Sequence, residues 1–201
     1  MTKGCDYPLG IFSWFGYKLP LRERIKLIKD AGFSSTFIWW GDEEEAFRGG
    51  MQHSIPNMVR DFELILESIH VPYEHCNDLW SDSESAREHI VNKHISWLYD
   101  CAKYEIPMMV THITRGVNHS GPNRHGINGI KRILEVAEDL GVILAIENTR
   151  RPEYINFVFS EIESQYLGFC YDSSHDWLYS DNPANIMERW GQRLVTLHLS
   201  D

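Results

Sequence analysis

Residues 141–149 read GVILAIENT, residues 166–175 read YLGFCYDSSH, and residues 193–201 read RLVTLHLSD. Each stretch contains a short apolar run, rich in β-branched or aromatic residues and preceded by a helix-like pattern. That combination predicts parallel strands buried on both faces. The first run ends on Glu147, the second on Asp172 with His175 three residues on, and the third on His198. In a closed parallel barrel the C-terminal strand ends face one cavity, so these side chains converge there. Carboxylates and imidazoles are the donors that Zn, Mn, Mg or Fe sites use. A single such residue at a strand end usually caps a helix or hydrogen-bonds a loop. Three on successive strands point to a metal.

Upstream, strand and helix patterns alternate in the manner of βα units. A first strand is expected at Leu9–Trp14 and a helix at Leu21–Ala31, with Leu21, Ile25, Leu27 and Ile28 on its apolar side and Gly32 at its stop. A second strand at Ser35–Trp40 leads into a long, acidic and Gly-rich loop, Gly41–Pro56, of the length expected for a lid. Then follow a helix at Asn57–Ile69 and a third strand at Val71–Cys76. A third helix is capped by Asp82 or Ser83 and runs to Lys103. Strand four spans Ile106–His112, and a helix spans Asn123–Leu140. Strand five is Val142–Glu147, followed by a helix near Ile155–Ser164. Strand six is Gly168–Asp172, followed by a helix near Pro183–Trp190, and strand seven is Leu194–Leu199. Seven strands and six helices fall short of a (β/α)8 barrel, which needs another strand. The expectation is one α/β domain over residues 1–201, a TIM barrel truncated C-terminally after strand 7, with strand 8 absent. Its unpaired edge strands are association hazards that leave a homo-oligomer open.

The formal net charge of the 201 residues is −10, which argues against a nucleic-acid partner held by phosphate attraction. Cys5, Cys76, Cys101 and Cys170 form no CxxC pair and no disulfide-like spacing. With no signal peptide and no long apolar span, a cytoplasmic protein with reduced thiols and no membrane partner is expected.

The segments AIENT, CYDSSH and LHLSD resemble the xylose isomerase-like TIM barrels, a superfamily of sugar and sugar-phosphate isomerases and epimerases that includes the endonuclease IV type of apurinic endonuclease. The resemblance runs from the first strand to the seventh. It implies a divalent metal (Mn, Co, Mg or Zn) held by Glu147, Asp172 and His198. The fourth ligand of such sites, a Glu on strand eight, is not in this chain. It also implies Glu147 as proton-transfer base and His175 as a catalytic or substrate-contacting group. The reaction implied is proton transfer through a metal-stabilised enediolate of a sugar or sugar phosphate. The endonuclease branch binds further zinc through strand-end histidines, for which His75, His112 and His175 are the candidates here. Glu74 competes with His75, because strand alternation lets only one of the two point inward.

Arg115 and Arg150, beyond strands four and five, suit a phosphate or carboxylate. Trp14 and Trp39 suit the C–H face of a sugar, and Asn148 suits a supporting hydrogen bond. Cys76 and Cys170 read as inert strand residues. The alternatives are zinc-dependent phosphodiester hydrolysis at abasic DNA, an inactive or fragmentary barrel, and a lyase. The 201-residue form is expected to turn over weakly or not at all.

Overall fold

The computed structural model describes residues 9–41, 52–117 and 120–200. Cys5, most of the proposed lid loop and Asp201 lie outside them. The chain divides into two compact units, Met1–His70 and Val71–Asp201.

The first unit holds three parallel strands, β1 (Gly10–Phe12), β2 (Ser35–Trp39) and β3 (Ile65–His70), with β2 in the middle. Helix α1 (Leu21–Asp30) buries Leu21, Ile25 and Ile28. Leu27 is not on that face; it is 44% exposed. Arg24 is buried in its place, since its Nε donates to the Leu19 carbonyl and its guanidinium to the Ser13 carbonyl, each at 3.0 Å. A buried guanidinium is tolerated because those carbonyls satisfy its donors.

Helix α2 (Ile55–Asp61) corrects the second helix read from sequence. It begins two residues early, with Pro56 in its first turn where no amide donor is needed, and ends eight residues early. Glu63 takes a positive φ of 55°, which closes the helix. The next residues become β3, so the third strand is Ile65–His70 and not Val71–Cys76.

The second unit holds β4 (Met108–Thr111), β5 (Ile143–Glu147), β6 (Leu167–Asp172) and β7 (Leu194–His198), parallel and paired in that order. Around them run α3 (Glu84–Lys103), α4 (Arg124–Leu140), α5 (Pro152–Glu161), α6 (Ser173–Tyr179) and α7 (Asn185–Trp190). The Ser83 hydroxyl caps α3 by accepting from the Ala86 amide at 3.4 Å. The Asn123 side-chain Oδ1 caps α4 by accepting from the Gly126 amide at 3.1 Å, and Gly141 ends α4 at φ +69°.

β5 and β6 have the two-sided burial expected of them, with Leu144, Ala145, Ile146, Phe169 and Cys170 all closed off from solvent. β7 departs from it: Leu194, Val195 and Leu197 are between 36% and 46% exposed. Among the described residues of this unit it pairs with β6 alone. Helix α6 was not expected from the sequence, and no described helix is long and apolar enough to cross a membrane.

Candidate metal centre

The register of strands β4 to β7 assembles the site. Thr111 pairs with Ile146, which sets His112 beside Glu147 one step further along. Glu147 pairs with Cys170, and Asp172 pairs with His198. Register partners on neighbouring strands point to the same face, and residues two apart on one strand do so too. Glu147, Cys170, Asp172 and His198 therefore share one face.

Glu147 is the hub. It is 3% exposed, and both of its oxygens are engaged. Oε1 lies 3.0 Å from His112 Nε2 and 3.2 Å from His175 Nδ1. Oε2 lies 2.8 Å from His198 Nδ1 and accepts from the Cys170 thiol at 3.8 Å. A carboxylate buried this deeply requires compensating donors, and three imidazoles and a thiol surround it.

Asp172 ends β6 and caps α6. Its Oδ1 accepts from the His175 amide at 2.8 Å and from the Ser174 hydroxyl at 2.7 Å. The cap turns the first helical turn so that His175 faces back toward Glu147. Asn148 fixes the same junction from β5: its side chain donates to the Asp172 carbonyl at 2.9 Å and accepts from the Asp172 amide at 2.7 Å. Its own carbonyl accepts from His175 Nδ1 at 2.8 Å. Burial works against a proton on His175. The hydrogen bond to Glu147 and the charges of Asp172 and Glu147 outweigh it and lift its pKa to about 9.

His112 is backed by the ring of Tyr73, stacked at 4.9 Å, and meets His175 edge to face at 5.5 Å. Arg115 lies over Tyr73 at 5.1 Å, with its backbone clamped by Asn77. Arg150 stacks on Tyr179 of α6 at 4.1 Å. Both arginines are exposed. His75 does not stand at a strand end. It precedes a 3-10 turn at Cys76–Trp80, its side chain is 70% exposed, and it faces Asp78 at 3.4 Å. The histidine that ends β3 is His70, which the sequence reading missed by running α2 into the strand. His70 is buried and stacks on Trp39. Trp14, under the Arg24 guanidinium at 4.9 Å, belongs with Trp39 to the first unit.

Two donor groups that share Glu147 each suit a divalent ion. Ligand atoms of Glu147, Asp172 and His175 lie within 4.8 Å of one another, and those of Glu147, Cys170 and His198 do the same. Two carboxylates, two imidazoles and a thiol are donors that transition ions accept.

Comparison with known proteins places this geometry. A model of the xylose isomerase-like TIM barrel matches residues 25–201. A 66-residue stretch is 32% identical to the uncharacterized protein y4fM of Sinorhizobium fredii (strain NBRC 101917 / NGR234), covering 30% of this chain and only 21% of that relative. Among solved structures, a D-tagatose 3-epimerase-like protein superposes with a TM-score of 0.75 at 18% identity, over 97% of this chain and 76% of its own. The D-psicose 3-epimerase of Clostridium cellulolyticum H10, solved with D-tagatose, superposes with a TM-score of 0.72 at 15% identity, over 94% and 71%. The chain thus spans about three quarters of the length of the solved barrels it resembles. With the strand order, the strand-end donors and the family model in agreement, this chain belongs to the xylose isomerase-like TIM barrel family.

Proposed function

We propose that this protein is a metal-dependent isomerase or epimerase of a sugar or sugar phosphate, working by proton transfer at a carbon beside a carbonyl. The observation that carries this reading is the buried Glu147 carboxylate, bracketed on one oxygen by His112 and His175 and on the other by His198 and Cys170. Glu147, Asp172 and His198, with His175 alongside, would hold Mn, Co, Mg or Zn. Such an ion, when bound, supplies positive charge against the negative charge that develops on substrate oxygen.

Glu147 takes the proton as the C–H bond breaks and its electron pair moves onto the adjacent carbonyl oxygen. Return of the proton by Glu147 to the neighbouring carbon, with the hydroxyl proton passing to the former carbonyl oxygen, gives isomerisation; epimerisation needs a second acid to deliver a proton to the opposite face, the role of the strand-eight Glu that the family resemblance implies. His175, whose Nδ1 lies against Glu147 Oε1 and the Asn148 carbonyl, orients Glu147 Oε1. Asn148 holds Asp172 and His175 in register with Glu147. Arg115 and Arg150 are suited to a phosphate on the far end of the substrate. The fold shared with ketose epimerases supports the substrate class.

The test is elemental analysis of protein purified without chelator, followed by a panel of pentoses, hexoses, polyols and sugar phosphates with added Mn or Co. About one ion per chain and turnover of a member of the panel are expected. Absence of turnover across the panel by the metal-loaded whole protein overturns the reading. A second reading, zinc-dependent hydrolysis at abasic DNA, rests on the contact between His112 and Glu147. Two or three zincs per chain with cleavage of an abasic duplex would favour it.

A further inference from the structure

We infer that Cys170 is a thiolate ligand of the metal centre, so that the site takes Zn or Co in preference to Mn or Mg. The inference rests on the metal-dependent reading above and concerns which ion the site selects.

Cys170 lies two residues before Asp172 on β6 and is the register partner of Glu147. Both relations put its side chain on the ligand face. Its Sγ stands 3.8 Å from Glu147 Oε2, the same oxygen that lies 2.8 Å from His198 Nδ1. The ligand atoms of Glu147, Cys170 and His198 fall within 4.8 Å of one another, with Glu147 and Cys170 fully buried. Sulfur, nitrogen and oxygen atoms at such spacings match the edges of a small coordination polyhedron with bonds of about 2.0–2.3 Å.

The opposing interpretation is that Cys170 is packing. Cys170 does share a buried cluster with Val110 and Ala145, with Met108 packed against it. Packing alone, however, does not require a sulfur pointed at a carboxylate oxygen that already meets an imidazole. The two other described cysteines make the contrast. Cys76 and Cys101 are buried, and burial pushes each thiol up to about 12. Neither belongs to a group of metal-competent donors among the described residues. A thiolate in the shell favours soft and borderline ions, whereas carboxylate, carbonyl and water oxygens suit Mn and Mg.

The experiment loads the whole protein with Co(II) and records the electronic spectrum, with bound cobalt measured by elemental analysis. A sulfur-to-cobalt charge-transfer band in the near ultraviolet is expected for the native protein. It should persist in a C5S/C76S/C101S variant, in which Cys170 is the sole cysteine. Cys170→Ser should bind cobalt without the band and lose about 100-fold in zinc affinity, the upper end of what removing a supporting group alone does. The triple variant keeps the test valid if Cys170→Ser folds poorly. Cobalt bound with no band in the triple variant overturns the cysteine assignment and leaves the metal-dependent reading standing. No cobalt, zinc or manganese bound by the native protein overturns that reading itself.

Discussion

Glu147 is buried, with His112, His175, His198 and Cys170 facing its carboxylate. Glu147→Gln keeps the shape but removes the charge and one acceptor oxygen. It should abolish stoichiometric metal in elemental analysis and lower turnover by about 10²–10⁴-fold, the range for a lost general base. His94 is a separate test of burial. It sits wholly inside α3 packing, 2.9 Å from the Ile90 carbonyl and 2.9 Å from the Thr111 hydroxyl, and desolvation lowers its pKa to about 4 against the weaker pull of the Ile90 carbonyl. Its folded pKa is below the unfolded value of 6.5, so the unfolded chain binds the extra proton in between. The resulting stability is complete above about pH 6.5 and is lost as pH falls through about 4, with a limit of about 3 kcal/mol. Urea unfolding at pH 7 and pH 4.5 should show that loss, and His94→Phe should reduce it. The placement of Glu147, Asp172 and His198 at strand ends was legible in the sequence because each closes an apolar run. His70 was not, because the residues before it keep a spacing that suits helix and strand alike. Cys170 read as an ordinary strand residue because nothing local to it reveals that Glu147 is its neighbour across the sheet.

The junction between β6 and α6 has two roles that substitution can separate. Asp172 caps α6 and also offers a carboxylate to the site. Asp172→Asn retains a capping oxygen and should leave stability nearly unchanged while weakening metal retention; Asp172→Ala should in addition cost about 1 kcal/mol. Chemical unfolding and metal titration of both variants check this. Asn148→Ala removes both bonds to the Asp172 backbone, worth about 2 kcal/mol together, and should reduce metal affinity about 10- to 100-fold. On α4, a Cβ at Gly126 would stand 2.1 Å from the Trp80 ring, whose indole donates to the Ile113 carbonyl at 2.6 Å. Gly126→Ala should therefore destabilise by about 1–3 kcal/mol despite the better helix propensity of alanine, as measured by thermal or urea unfolding. Elements with strong termini were legible: Ser83 and Asn123 mark the starts of α3 and α4, and Gly141 marks the stop of α4. The boundary between α2 and β3 was not, because it turns on Glu63 adopting a positive φ with no glycine to announce it.

At the scale of the whole chain, the net charge of −10 and the strand-end donors pull in one direction: excess negative charge attracts cations and repels polyanions. A metal that binds only the folded state stabilises by mass action, by about 2.7 kcal/mol at a free concentration one hundred times its Kd. Chelator treatment should lower the thermal midpoint, readdition of Zn or Co should restore it, and the Glu147→Gln variant should respond to neither. The donors around Glu147 also come from far along the sequence. Cys170 is 23 residues away, His112 is 35 away on the other side, and His198 lies at the end of the last strand. No local hairpin can bring these groups together, because parallel strands need a helix-length crossover between them. Strands β4 to β7 must pair before the carboxylate has these neighbours, and such non-local pairing is slow. For the proposed metal centre, capture of the ion should therefore come last in the folding of this unit, and in stopped-flow refolding the cobalt spectrum should lag behind the recovery of helical circular dichroism.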